Sequence, residues 1–139
     1  MKALITAIAA LGFAASPALA GEDAEPEMSK GEQKLAKILE GRVAGEPESC
    51  ITTFGSGNLR IIDKTALVYE RGKTVWVNYT RNPKSLDDDD YMVIRKYGSG
   101  SQLCRLDNVT TRDRGGNFFS GVIFLEDFVP YRKVEEAEG

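Results

Sequence analysis

Two cysteines, a run of four aspartates and a complete absence of histidine set the limits on what chemistry this chain can do. Ser-His-Asp and Cys-His catalysis both lack their base. Two cysteines cannot fill the four positions of a Cys/His zinc site. Cys50 and Cys104 stand 54 positions apart, which removes the C-x-x-C arrangement of thioredoxin-like redox centres. Carboxylates, lysine, tyrosine or an oxygen-bound metal are what remains for an enzyme.

The carboxylates are the first place to look. Asp87, Asp88, Asp89 and Asp90 offer oxygens that suit Ca²⁺. They lack the alternating spacing and the glycine of a calcium loop, and side chains on adjacent residues splay apart. The run reads as an acidic turn ahead of a strand, and no metal is expected. Asp63, Asp107 and Asp113 could supply an acid/base pair of the glycosidase kind. Aspartates at strand ends more often cap turns through the backbone, so no catalytic residue is expected among them. Trp76 and Tyr79 could line a sugar or peptide groove, but large aromatics in a small β-fold usually fill its core. Asn78 and Asn108 each open an N-x-[ST] triplet. The glycine-rich segments at 55–57 and 98–100 lack the context of a phosphate-binding loop and read as turns.

What positions these residues starts with a targeting segment. Lys2 precedes an apolar run at 3–15, and Ser16-Pro17 breaks it ahead of Ala18-Leu19-Ala20. This is the pattern of a cleaved secretory signal over 1–20, cut between Ala20 and Gly21. The run is shorter than the roughly 20 apolar residues a membrane span needs. With no cysteine after the cut, a lipid anchor is not expected, and neither is membrane insertion after signal removal. Removing 20 of 139 residues leaves 119, enough for one domain. The mature chain then carries 17 basic against 21 acidic residues, a net −4. That balance argues against nucleic acid as a partner.

In an exported chain Cys50 and Cys104 have only each other as partners, so a disulfide between them is expected. It would place the strand at 50–54 beside, or across the core from, the strand starting near Gln102.

Residues 21–28 are acidic and read as a disordered linker. Ser29 and Glu32 then form a capping-box pair, with Leu35, Ile38 and Leu39 at helical spacing and Gly41 as a stop. The narrow apolar stripe could cover one face or one open end of a sheet. From Cys50 the period changes to two. Strands are expected at 50–54, 58–62, 66–70, 74–80, 91–97, 102–107, 109–112 and 121–127, with Gly72 in a hairpin turn. Pro130 is expected to end the last strand or to lie on a sheet edge, and 132–139 to be a charged tail. Phe54 and Tyr97 each precede Gly-Ser-Gly and a strand, an echo compatible with two pseudo-symmetric halves.

Gly41 to Pro47, Cys50-Ile51, Arg60 to Asp63, Val77-Asn78, Gln102-Leu103-Cys104 and Phe128 to Tyr131 together resemble a family of small exported proteobacterial proteins of unknown function. The resemblance covers about 41–131, and its most specific parts are the Cys-Ile and Gln-Leu-Cys motifs. Leu125-Glu126-Asp127-Phe128 departs from the Leu-Gly-Glu-Phe of the family's last motif. The resemblance implies export and one domain, and it assigns no site residue.

The expectation is therefore an all-β single domain, a small barrel or sandwich of short antiparallel strands over 29–131, with one N-terminal amphipathic helix. Its expected setting is periplasmic or secreted. Its expected role is that of a non-catalytic binding or structural module of the cell envelope without a cofactor, and an envelope protein or glycan is the candidate partner. An inhibitor of an envelope enzyme such as lysozyme, or a carboxylate-based glycan hydrolase, are the alternatives.

Overall fold

The computed structural model describes residues 27–54, 57–98 and 100–134. The signal segment, its Ala20–Gly21 cut and residues 21–26 of the linker lie outside the described residues, as does the end of the tail.

Helix α1 spans Lys30–Ile38 and starts as its sequence dictates. Ser29 Oγ accepts the Glu32 amide and Glu32 returns a carboxylate to the Ser29 amide, so two otherwise orphaned donors are satisfied. Gly31 is buried, because a side chain there would collide with Thr65 and the Asp63 carbonyl. The helix is thereby able to descend onto the turn between the third and fourth strands.

Ten strands follow: β1 Arg42–Ala44, β2 Cys50–Thr52, β3 Asn58–Ile62, β4 Ala66–Arg71, β5 Thr74–Asn78, β6 Asp90–Arg95, β7 Gln102–Cys104, β8 Asn108–Asp113, β9 Phe119–Ile123 and β10 Phe128–Lys133. All pair antiparallel, in a five-stranded sheet β1-β10-β5-β4-β3, a three-stranded sheet β6-β8-β9 and a ribbon β2-β7. The sheets stay open, so the fold is a sandwich and not a closed barrel. Gly72 takes φ +59° in the β4–β5 hairpin, as its turn requires.

The five-stranded sheet is apolar on both faces. Leu67, Tyr69 and Phe128 face the smaller sheets and pack with Ile51, Leu86, Leu103, Val109 and Ile123. Ala66, Val68, Val75 and Val77 face the other way and are covered by Leu35 and Ile38 of α1 and by Leu39 at its C-terminal cap. Residues 66–69 of β4 are buried one after another for this reason. The helix closes a second core.

Pro130 overturns the expectation of a strand end or sheet edge. It lies inside β10, opposite Trp76 of β5, and β10 continues through Arg132 and Lys133, which pair with Val43 and Arg42. Along a strand, a residue's N–H and C=O point the same way. The Pro130 carbonyl accepts the Gly45 amide, so its missing N–H faces the 45–48 segment, not β5. Pairing on that side is already interrupted between Ala44 and Glu48, so no ladder bond is lost.

The Phe54 and Tyr97 segments do not head equivalent halves. The strand after the first, β3, pairs with β4, whereas the strand after the second, β7, pairs with β2.

Candidate functional site

Cys50 and Cys104 are directly opposed partners of β2 and β7, with Cα atoms 4.0 Å apart and sulfurs at bonding distance, 2.06 Å. The two strands are neighbours, one of the two arrangements the sequence allowed. From this staple the chain runs through Arg105 and Leu106 to Asp107. Asp107 is buried, and its two carboxylate oxygens accept the Tyr97 and Cys104 amides at 2.9 and 2.8 Å. Asp113 likewise caps its own loop by accepting the Gly116 amide at 2.7 Å. Both aspartates cap backbone, as their positions at strand ends suggested.

The remaining aspartates behave differently. Asp63, Asp87 and Asp88 bring carboxylate oxygens within 4.8 Å of one another. The Lys64 amide bonds the Leu86 carbonyl, which ties the two turns together, and the Asp89 amide bonds Asp87 Oδ1. The expected splaying therefore fails for Asp87 and Asp88, because a local turn folds them to one side. Three carboxylates could contact a hard cation. Lys64 Nζ, 3.6 Å from Asp63 Oδ2, already offsets part of their charge. Asp90 leaves this group and accepts the Ser120 hydroxyl at 2.6 Å.

A concave site of a different kind lies where the 79–81 turn meets the 105–108 and 122–125 segments. Its cavity, about 410 Å³, is lined by Arg81, Tyr97, Arg105, Leu106, Asn108 and Phe124 among others. Tyr97, Leu106 and Phe124 are 70, 83 and 54 % exposed. Large apolar side chains left this open on one cavity mark a binding surface.

Asn78 builds the site. It is fully buried, donating to the Glu126 carbonyl at 2.6 Å and accepting the Glu126 and Thr80 amides at 3.0 Å each. The two bonds to Glu126 lock the end of β5 to the segment after β9, and the third shapes the turn at Thr80. Thr80 is held at φ +37°, rare for a β-branched residue, and its buried hydroxyl has no partner among the described residues. The next residue, Arg81, donates its amide to the Phe124 carbonyl at 2.8 Å. Its Nε reaches Glu126 Oε1 at 3.1 Å, and its guanidinium lies over the Phe124 ring, 5.7 Å from the centroid. On the far wall Arg105 Nη1 pairs with Asp127 at 3.4 Å.

Neither aromatic singled out from the sequence lines this cavity. Trp76 packs against the core and donates Nε1 to Glu48 at 2.9 Å. Tyr79, 42 % exposed, shares a 2.6 Å hydrogen bond with Tyr131. Partial burial, and then the bond to Tyr131, push the Tyr79 hydroxyl well above the ordinary tyrosine range. The residues that do line the site carried a signal in the run Val122-Ile123-Phe124-Leu125. Alternation sends Ile123 and Leu125 inward, so Phe124 must face out.

Comparison with protein-family models, with curated proteins and with solved structures finds no match to this chain.

Proposed function

We propose that the protein is an exported, non-catalytic binding module that holds a glycan of the bacterial cell envelope in the cavity between Tyr97 and Phe124. The observation that carries this reading is two exposed aromatic rings on one cavity that is also lined by Arg81 and Arg105, whose charges are met by Glu126 and Asp127. A sugar ring has apolar C–H faces edged by hydroxyls. Aromatic rings cover the faces, and guanidinium, carboxylate and amide groups meet the hydroxyls as donors and acceptors. Export is supported by the 1–20 segment and by a cysteine pair suited to an oxidising compartment. Among the described residues, no helix is long and apolar enough to cross a membrane. A non-catalytic role fits a chain without histidine in which Asp107, the carboxylate lining the cavity, spends both oxygens on backbone amides. Co-sedimentation with purified cell-wall sacculi tests the reading: retention that soluble wall fragments compete away supports it, and protein left in the supernatant overturns it.

The acidic balance of the mature chain favours one second reading, inhibition of a basic wall-cleaving enzyme such as lysozyme. Unchanged cell-wall lysis by lysozyme at excess protein would remove it.

A further inference from the structure

Tyr69 of β4 is only 3 % exposed, with its ring in the main core, 5.8 Å from the ring centre of Trp76. Its hydroxyl has no hydrogen-bond partner among the described residues. Phenylalanine would fill the same core without the penalty of a dry, unpaired hydroxyl, so a partner outside the protein is called for. Beside it lies a cavity of about 200 Å³, which shares no lining residue with the Tyr97–Phe124 site. Its apolar wall is Leu59, Ile94 and Leu103, and its polar rim is Tyr69, Lys96 and Thr53.

Lys96 Nζ donates to Thr53 Oγ1 at 2.8 Å and to the Gly100 carbonyl at 2.9 Å, leaving the third proton of its ammonium for another acceptor. The cavity therefore offers a cationic donor and a buried hydroxyl donor, and among the described residues no carboxylate lines it. Its preferred guest is an anion with two acceptor oxygens and an apolar body.

We propose that this cavity binds a small aliphatic carboxylate, its oxygens accepting from Tyr69 and Lys96 and its short chain lying on Leu59, Ile94 and Leu103. Phosphate suits it less, because a tetrahedral dianion asks for more donors than two and gains nothing from the apolar wall.

The test is titration of the oxidised protein with butyrate, read by amide chemical shifts, with butanol and inorganic phosphate as comparisons. The proposal expects saturable shifts centred on Thr53, Leu59, Tyr69, Ile94 and Leu103, with butanol and phosphate far weaker. Tyr69→Phe should weaken butyrate binding by about tenfold, as loss of a hydrogen bond to a charged group does, without lowering the melting temperature. Lys96→Met, a substitution at a half-buried rim position, should weaken it at least as much. Absence of localised shifts in the parent protein, equal binding of butanol, or unchanged affinity in both variants would overturn it and leave the hydroxyl to water alone.

Discussion

The guanidinium of Arg81 lies 5.7 Å from the centre of the Phe124 ring while its Nε bonds Glu126 at 3.1 Å. One side chain of the cavity lining thus covers the aromatic wall and is itself held by Glu126. The pairing with Glu126 also means that Arg81 is not a free charge seeking an anion. A neutral, hydroxyl-rich ligand suits such a rim better than a polyanion does.

Asn78 should be the most sensitive polar position in the fold. Asn78→Ala removes three hydrogen bonds and strands both the amide and the carbonyl of Glu126, at an expected cost of about 2–4 kcal/mol. Chemical denaturation measures it directly. A loss below about 1 kcal/mol, the worth of one ordinary hydrogen bond, would show that the β5 end and the 124–127 segment are held together by other contacts.

Reduction should lower stability by about 4 kcal/mol, since opening the Cys50–Cys104 link releases a loop of 54 positions in the unfolded chain. The β2–β7 ribbon pairs only three residues on each side, so its local order depends on the link more than the larger sheets do. A denaturation midpoint that is the same with and without reductant would contradict this.

The helix can be probed at its cap and at its contact. Ser29→Ala should cost about 1 kcal/mol by opening the capping box. Leu35→Ala should cost about 3 kcal/mol, because Leu35 closes the cluster over Val68, Val75 and Val77. Equal and small effects from the two would mean that α1 only decorates the sheet.

Alkaline titration should find Tyr79 ionising above the ordinary tyrosine range. Its hydroxyl is raised in the folded protein by partial burial first and by the Tyr131 bond second. Only the neutral form is favoured by folding, so this contribution is complete below the ordinary tyrosine value of about 10 and is lost as the pH climbs beyond it. Tyr131→Phe should bring the Tyr79 transition down, and ultraviolet absorbance against pH reads both. A Tyr79 transition at the ordinary tyrosine value would contradict the assignment.

Local signals in the chain were reliable and long-range ones were not. The capping residues Ser29 and Glu32, the Gly72 hairpin and most strand positions follow from patterns a few residues long. Strand β1 escaped because it exists through pairing with β10 across some ninety positions, and β10 because its partners, β1 and β5, both lie far back in the chain. Pro130, which in isolation signals a break, is tolerated only because the chain at Gly45 to Glu48 leaves its N–H side unpaired. The approach of Asp63 to Asp87 and Asp88, and of Arg81 to Phe124 and Arg105, likewise depends on loops brought together by the sandwich. Phe124, just past the end of β9, is detectable because the alternation of buried Ile123 and Leu125 continues beyond the strand, whereas Leu106 sits in a turn that gives no periodic signal.

The affinity of the Tyr97–Phe124 cavity for soluble cell-wall glycan fragments is measurable by calorimetry on wild type and variants. Wild type should bind, and Phe124→Ala and Tyr97→Ala should each weaken binding by about tenfold through loss of one stacking face. Both side chains are more than half exposed, so neither variant should change the melting temperature appreciably. Val43→Ala, an exposed substitution on β1 away from the cavity lining, should bind as wild type does. Glycan affinity that is absent in the wild type, or unaltered in both aromatic variants, would contradict the account.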